Sequence, residues 1–193
     1  MGFLANLFSQ TPKSAEDYFN RGITYAKKGK YDQAITDFDR ALEINPNDAN
    51  TYCTRGFVCA ERGESDRAIS DYTKAIELDP KRAMAYHVRA SAYDTKGEYD
   101  LAISDLNIAI EIDPRFAEAY NNRAVVYCHM KENNKAREDL HKAQSLGYRV
   151  DPKLLRHLHQ SLGRNRWITL NESSVKGDTN TLNPSEKYIF SVW

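Results

Sequence analysis

The most regular feature of the chain is a pattern of apolar and small positions that returns every 34 residues, starting at Ala15. Tyrosines and alanines return at the same place in each copy. They are Tyr18, Tyr52, Tyr86 and Tyr120, then Ala34, Ala68, Ala102 and Ala136. A fixed period of this length is typical of units that cannot bury their apolar face alone and stack on neighbours. We therefore predict four repeats, over residues 15–48, 49–82, 83–116 and 117–150.

Each repeat is predicted to contain two helices. In the first copy Tyr18, Gly22 and Tyr25 are spaced by four and three residues, which places them on one helix face. Gly29 then favours a left-handed C-terminal cap, because glycine reaches that conformation without steric penalty. A second helix is predicted from near Asp32. Its apolar stripe consists of Ala34, Ile35, Phe38, Ala41 and Leu42.

Turn chemistry and side-chain size complete the unit. Asn45-Pro46 is predicted to end the second helix, since the residue before proline is disfavoured in the helical region. Asp48 is placed to cap the following helix. Gly22 is expected to let the two helices approach closely, while large side chains such as Phe38 fill the space between them.

These residues resemble the consensus of the tetratricopeptide repeat family, in which an aromatic, a glycine or alanine, a tyrosine, an alanine, an aromatic, an alanine and a proline recur at these intervals. The copies depart from it at Cys59, at Leu106 and at Lys131, which replaces the turn glycine. The resemblance implies an all-α fold, a right-handed α-solenoid of helix-turn-helix repeats. Residues 151–163, with a leucine stripe after Asp151-Pro152, are predicted to form a C-terminal capping helix.

The segments outside the repeats are short. Residues 1–14 are interpreted as an N-terminal capping segment, with weak docking to a membrane or partner as the alternative. Residues 164–193 show no helical period and are predicted to form an extended, flexible tail. Its apolar end, residues 188–193, is hypothesised to dock onto the groove of the same or a neighbouring molecule.

Arginine and aspartate also recur with the period. We predict that they form an ion-pair ladder between helices rather than four copies of a binding site, each pair contributing under about 1 kcal/mol if it is exposed. The residues are Arg21, Arg55, Arg89 and Arg123, and Asp37, Asp71, Asp105 and Asp139.

The family resemblance implies that the first helix of each repeat lines a concave groove that binds a peptide or protein. The residues implied are Phe19, Ile23 and Lys27; Cys53, Phe57 and Glu61; His87, Ser91 and Asp94; and Asn121, Val125 and His129. A peptide with an apolar side chain near Phe19, Ile23 and Phe57 would suit this groove. The alternative is that Phe19 or Ile23 packs under the N-terminal segment instead.

Some members of the family clamp the C-terminal carboxylate of heat-shock chaperones with lysines, asparagines and an arginine. Here those places hold Phe19, Ile23, Thr54, Met84 and Val88. Without cationic donors a carboxylate gains no charge-assisted hydrogen bonds to offset its desolvation. Binding of a chaperone tail by that mode is therefore disfavoured.

Composition narrows the function further. Lys plus Arg and Asp plus Glu each number 27, so no basic field favours nucleic acid as a partner. The three cysteines form no CxxC pair, which is typical of a reducing compartment, and the N-terminus lacks the features of a signal or membrane-spanning segment. We therefore expect a cytoplasmic protein without stable membrane insertion.

No sequence pattern of a nucleotide-binding loop, zinc protease or serine hydrolase is present. Cys128, His129 and His87 have poor spacing for a metal site, and Cys59 and Cys128 are expected to be small core residues. We predict a non-enzymatic protein-interaction scaffold without a cofactor. The alternatives are a self-associating scaffold, joined through the tail or the solenoid ends, or a metal-binding protein.

Overall fold

A computed structural model describes residues 14–161, and within this range the chain is entirely helical and turn-like. Residues 1–13 and 162–193, for which a cap, the end of a helix and a tail were predicted, lie outside the described residues. The described helices are α1 (Ala15–Lys27), α2 (Tyr31–Ile44), α3 (Ala49–Glu61), α4 (Ser65–Leu78), α5 (Ala83–Thr95), α6 (Tyr99–Ile112), α7 (Ala117–His129), α8 (Asn133–Ser145) and α9 (Pro152–Ser161).

The helices pack in sequential pairs, as the period predicts. Helices α1 and α2 pack together, and so do α3 with α4, α5 with α6, and α7 with α8. Each second helix also contacts the first helix of the next pair, and α5 touches both α3 and α7. The predicted all-α solenoid of helix-turn-helix units is therefore confirmed for the four repeats.

Helix α9 belongs to a separate compact unit that begins at Pro152. It starts at the predicted residue, with proline in the first turn where a missing N–H is tolerated. Leu158 is buried, whereas Arg156 is exposed. Its role as a cap on the repeats stays a prediction.

Side-chain caps fix the beginnings of two helices. Ser14 Oγ accepts from the backbone N–H of Asp17 at 3.1 Å, and Asp17 Oδ2 accepts from the backbone N–H of Ser14, also at 3.1 Å. Asp48 Oδ1 accepts from the backbone N–H of Asn50 at 3.1 Å, which confirms the predicted cap of α3. Helix α2 ends at Ile44, directly before Asn45-Pro46.

The turn between the two helices of a repeat has the same left-handed backbone in every copy. Gly29, Gly63 and Gly97 have φ angles of 69°, 79° and 77°. Lys131 takes the same conformation with a φ of 62°, although a side chain is disfavoured there. The fourth turn therefore keeps its shape at an energetic disadvantage rather than changing it.

Small residues oppose large ones where the two helices of a repeat meet. A Cβ placed on Gly22 would lie 2.7 Å from the Phe38 ring, and one on Gly56 would lie 2.8 Å from the Tyr72 ring. Real Cβ atoms do not approach a ring this closely, so only glycine fits beside these aromatics. The third and fourth repeats instead pair alanine with leucine, all fully or almost fully buried. Those pairs are Ala90 with Leu106 and Ala124 with Leu140.

The predicted arginine-aspartate ladder is present in all four repeats. In each, the guanidinium donates two hydrogen bonds of 2.5–2.8 Å to the aspartate sixteen residues later. The four carboxylates are only 3–6% exposed. The contribution of under about 1 kcal/mol per pair, which was expected for exposed pairs, therefore does not apply to them. Breaking a buried pair leaves an uncompensated charge and is strongly destabilising.

The ladder also joins neighbouring repeats. Arg55 Nη1 donates to Asp39 of the first repeat at 2.6 Å, and Arg89 Nη1 donates to the Thr73 hydroxyl at 3.0 Å. Arg123 Nη1 donates to the Asn107 amide oxygen at 2.6 Å. These three guanidinium groups bind partners in their own repeat and in the preceding one, whereas Arg21, among the described residues, donates hydrogen bonds only to Asp37 of its own repeat, and this pattern supports the predicted architectural role.

Candidate functional site

The twelve residues implied for the groove differ in how far they reach the surface. We call the face that they form on α1, α3, α5 and α7 the first-helix groove. Four are buried: Phe19, Ile23, Cys53 and His87. Four are half-buried: Phe57, Asp94, Asn121 and Val125. Four are exposed: Lys27, Glu61, Ser91 and His129.

The apolar end of the groove differs from the expectation. Phe19 and Ile23 are each 8% exposed and belong to the core, and the Phe19 ring lies 5.7 Å from that of Phe38. In this arrangement neither offers a free surface to a ligand. The suggested N-terminal covering segment, residues 1–13, lies outside the described residues. Phe57 is the groove aromatic that keeps an accessible face.

His87 forms a polar floor between the third and fourth repeats. Its Nε2 atom accepts a hydrogen bond from Asn122 Nδ2 at 2.8 Å, and its ring lies 4.9 Å from that of Phe116. Burial lowers the pKa of His87 to about 4, so the imidazole is neutral at neutral pH. Neither Asn122 nor Phe116 was predicted. The positions equivalent to Phe116 in earlier repeats hold Asp48 and Arg82. The change to an aromatic residue was therefore visible in the sequence and could have indicated a contact specific to this repeat.

Polar side chains lie along the remainder of the groove. His129 Nδ1 lies 2.8 Å from Asp94 Oδ1, which links α7 to α5. Arg82 donates to the Asn50 amide oxygen at 2.7 Å and so links the α5 cap to α3. The amide oxygen of Asn121 is buried and has no hydrogen-bond partner among the described residues. It is enclosed by protein and does not reach the surface of the groove.

The cysteines lie in environments that disfavour the thiolate. Burial raises the pKa of Cys53 and Cys59 to about 11, and it also raises that of Cys128. Cys59 is fully buried, which confirms it as a small core residue, whereas Cys128 is only half-buried. Among the side chains that the structure describes, no three His, Cys, Asp or Glu residues are grouped to hold a metal ion.

Comparison with known families agrees with the repeat geometry. Profiles described as Tetratricopeptide repeat match residues 15–48, 49–82 and 71–104, and one described as TPR repeat matches residues 91–130. A solved structure of MamA protein is 30% identical and has a TM-score of 0.66, covering 77% of this chain and 78% of its own. The chain belongs to the tetratricopeptide repeat family.

Two other tetratricopeptide repeat structures extend the comparison. A thermophilic protein from Thermus thermophilus, TTC0263, is 27% identical with a TM-score of 0.64, covering 78% of this chain and 84% of its own. The first repeat domain of Spaghetti (RPAP3), bound to the HSP90 peptide SRMEEVD, is 24% identical with a TM-score of 0.55. It covers 59% of this chain and 90% of its own, and at this identity it shows the fold alone.

No curated protein sequence matches the chain. Among the described helices, none has the length and apolar character needed to cross a membrane. The tetratricopeptide repeats of the chain support a protein-interaction scaffold.

Proposed function

We propose that the chain binds an extended peptide segment of another protein in the first-helix groove and acts as a non-enzymatic scaffold. Phe57 carries this proposal. Its ring is half-buried on the groove face of α3 and does not belong to the buried core of the repeats. The equivalent places hold Ile23, Ser91 and Val125, so the packing of the repeats does not require an aromatic there.

The neighbours of Phe57 indicate the chemistry of the ligand. Val125 offers a second half-buried apolar surface, and Ser91 between them is exposed. The Ser91 hydroxyl and the half-buried Asn121 side chain offer polar groups to the main chain of an extended peptide. An apolar anchor on Phe57 with main-chain hydrogen bonds beyond it is a common mode of peptide recognition.

The charges of the groove residues favour a ligand different from an acidic chaperone tail. Thr54, Met84 and Val88, at places where a carboxylate clamp needs cations, are half-buried neutral residues. Glu61 on the groove is exposed, and Asp94 is bound to His129. We therefore expect a neutral or basic segment, and we do not extend the HSP90 peptide of the RPAP3 domain to this chain.

The cysteines bear on the location of the protein and on its lack of catalytic activity. Three free cysteines, two of them buried, fit a reducing compartment such as the cytoplasm. Their raised pKa values make poor nucleophiles, which fits a scaffold better than an enzyme.

Selection from a displayed library of unstructured peptides tests the groove. Peptides enriched on the full chain are measured against Phe57→Glu and against Ser70→Glu, a matched charge placed on an exposed residue of α4. We expect Phe57→Glu to weaken binding by about tenfold or more, since one apolar anchor contributes at least about 1.4 kcal/mol. Ser70→Glu is expected to have no effect. Equal binding by the two variants, with both folded by circular dichroism, would overturn the proposal.

A further inference from the structure

The solvent side of α6 differs from the same side of the other second helices. Leu101 is 49% exposed, Ile112 is 36% exposed and Ile108 is half-buried, and we call these three residues the α6 outer strip. The buried residues of the helix are Ala102, Asp105, Leu106 and Ala109, and Ile108 packs against this core with part of its side chain. Ile112 has apolar equivalents in every repeat. Leu101 and Ile108 replace polar or basic residues, namely Gln33, Arg67 and Lys135, and Arg40, Lys74 and Lys142.

The same replacement removes the ion-pair partner of Glu111. In the first repeat the equivalent Glu43 accepts from Arg40 at 2.6 Å, and in the second Glu77 accepts from Lys74 at 2.9 Å. In the third repeat the cation's place is taken by Ile108. Glu111 is exposed and makes no ion pair with the described residues.

Asp100, at the other end of α6, has lost its partner independently. The equivalent Asp32 pairs with Arg62 of the next repeat at 2.5 Å, and Asp66 pairs with Lys96 at 2.8 Å. The corresponding place after the third repeat is Met130. Asp100 is likewise exposed and makes no ion pair with the described residues. Asp100 and Glu111 therefore lie beside one apolar strip, and for each of them an apolar residue stands where the first two repeats have the cation that pairs with the equivalent acid.

The spacing of these groups defines a shape. Asp100 and Glu111 are eleven residues apart, which is three helical turns, so they lie on the same edge of the strip about 16 Å from each other. A helix with apolar residues on one face and two cations eleven residues apart on one edge matches the strip and both acids. Such pairing gives the acids the charge partners that the sister repeats find within the chain.

A second copy of the chain is a poor match for the strip. Helix α6 contains no lysine, arginine or histidine, so a second α6 brings no cation to either acid. Antiparallel pairing about a two-fold axis would place Asp100 of one copy near Glu111 of the other, where like charges repel. Three apolar side chains also bury much less than the roughly 800 Å² per partner of a stable interface.

We propose that the α6 outer strip is a second interaction surface, distinct from the groove, which binds a basic amphipathic helix of another protein. Leu101, Ile108 and Ile112 contact the apolar face of that helix, and Asp100 and Glu111 pair with its cations. The contact is transient, because the strip is small and exposed ion pairs are screened by salt.

Two designed helical peptides test the proposal by fluorescence anisotropy with the full chain. Both carry leucines on one face, and one has lysines eleven residues apart on the edge where the other has glutamates. We expect the lysine peptide to bind about tenfold or more tightly than the glutamate peptide. Ile108→Lys, which restores the residue type of Lys74 and Lys142, is expected to weaken lysine-peptide binding by a similar factor while leaving the fold intact. The groove variant Phe57→Glu is expected to bind normally.

Conservative variants separate charge from apolar contact. The double variant Asp100→Asn with Glu111→Gln is expected to lose the preference for the lysine peptide while binding the glutamate peptide at least as well as before. No preference in the unaltered chain, no effect of Ile108→Lys, or loss of binding in Phe57→Glu would each overturn the proposal.

Other occupants of the strip have their own signatures. A mass that rises with concentration in light scattering, and stays constant in Ile108→Lys, would assign the strip to a second copy. Peptide binding that appears only after residues 164–193 are removed would assign it to the chain's own terminal segment. Either result would overturn the proposal.

Discussion

The first two repeats and the last two solve the same packing problem with different residues. Residues 15–82 place glycine against an aromatic ring, as Gly56 against Tyr72. Residues 83–150 place alanine against leucine, as Ala90 against Leu106, and both are fully buried. The added methyl group on one helix accompanies a smaller side chain on the other. The shared constraint is the combined volume of the pair rather than the identity of either residue.

The groove floor shows a second contrast between the halves. Phe19 and Cys53 make it apolar in the first two repeats, whereas His87 and Asn121 make it polar in the last two. The interior of every repeat is therefore packed in an equivalent way, whereas the polarity of the groove floor differs between the two halves. Substitutions that give one repeat the residue of another test this contrast.

The largest effect is expected from His87→Phe, which gives the third repeat the ring of the first. Burial lowers the folded-state pKa of His87 to about 4 from its ordinary 6.5, so the unfolded chain takes up the proton first. Stability contributed by the neutral imidazole is complete above pH 6.5 and is lost as the pH falls towards 4. The difference corresponds to about 3 kcal/mol. Urea unfolding at a series of pH values checks this. Between neutral pH and about pH 4, the free energy of unfolding should fall by about 3 kcal/mol more in the unaltered chain than in His87→Phe.

The physical reason is burial, which disfavours the charged imidazolium. Protonation places a hydrogen on His87 Nε2, opposite the Asn122 amide group that now donates to it, and charges a buried ring. Parallel pH profiles for the two proteins would show that His87 is solvated on protonation without disturbing the floor.

Gly56→Ala gives the second repeat half of the pair found in the third. The new methyl would lie 2.8 Å from the Tyr72 ring, and overpacking of this kind destabilises by about 1–3 kcal/mol. Alanine favours the helix by about 1 kcal/mol, so from the middle of that range the net loss is expected to be about 1 kcal/mol and at most about 2 kcal/mol. Adding Tyr72→Leu completes the alanine-leucine pair. In thermal unfolding the double variant should lose less stability than the two single changes summed.

Ala90→Gly is the reverse change in the third repeat. It removes a methyl group beside Leu106 without creating a clash, so its effect should not depend on a second change. A Gly56→Ala variant as stable as the unaltered chain would show that the Tyr72 ring moves freely and that the volume rule does not hold.

The smallest effect is expected from Lys131→Gly, which gives the fourth turn the residue of the first three. Lys131 has a φ of 62°, where a side chain is disfavoured and glycine is not. We expect a gain of about 0.5–1 kcal/mol in the free energy of unfolding. The matched change Gly97→Lys, at a φ of 77°, should lose a similar amount. Opposite signs for the two changes in chemical denaturation would confirm the interpretation; equal signs would refute it.

The fold could be predicted from the sequence because its rules are local. The spacing of Tyr18, Gly22 and Tyr25, the turn at Gly29 and the stop at Asn45 set helix ends to within a residue or so of those observed. The exposure of the ion pairs could not be predicted. Asp71 is buried because neighbouring helices surround it, and that arrangement arises between elements far apart along the chain.

The candidate site was predicted less completely for the same reason. Family resemblance placed His87 on the first helix of the third repeat, but its burial depends on Asn122 of the next repeat and on Phe116, the N-cap of α7. Phe19 has the residue type of a ligand anchor and is nevertheless part of the core. Residue type and spacing therefore place these residues on the first helix of each repeat, and the contacts between repeats decide which of them are accessible.

The arginine fork sets the length of each turn. In all four repeats the guanidinium grips a carboxylate sixteen residues later through two parallel hydrogen bonds. One residue more or fewer in the turn would rotate the second helix by about 100° and carry that carboxylate away. The two hydrogen bonds can therefore form after a change of residue in the turn, but not after a change in its length. Lys131 illustrates this, since its turn has kept the dimensions of a glycine turn after losing the glycine.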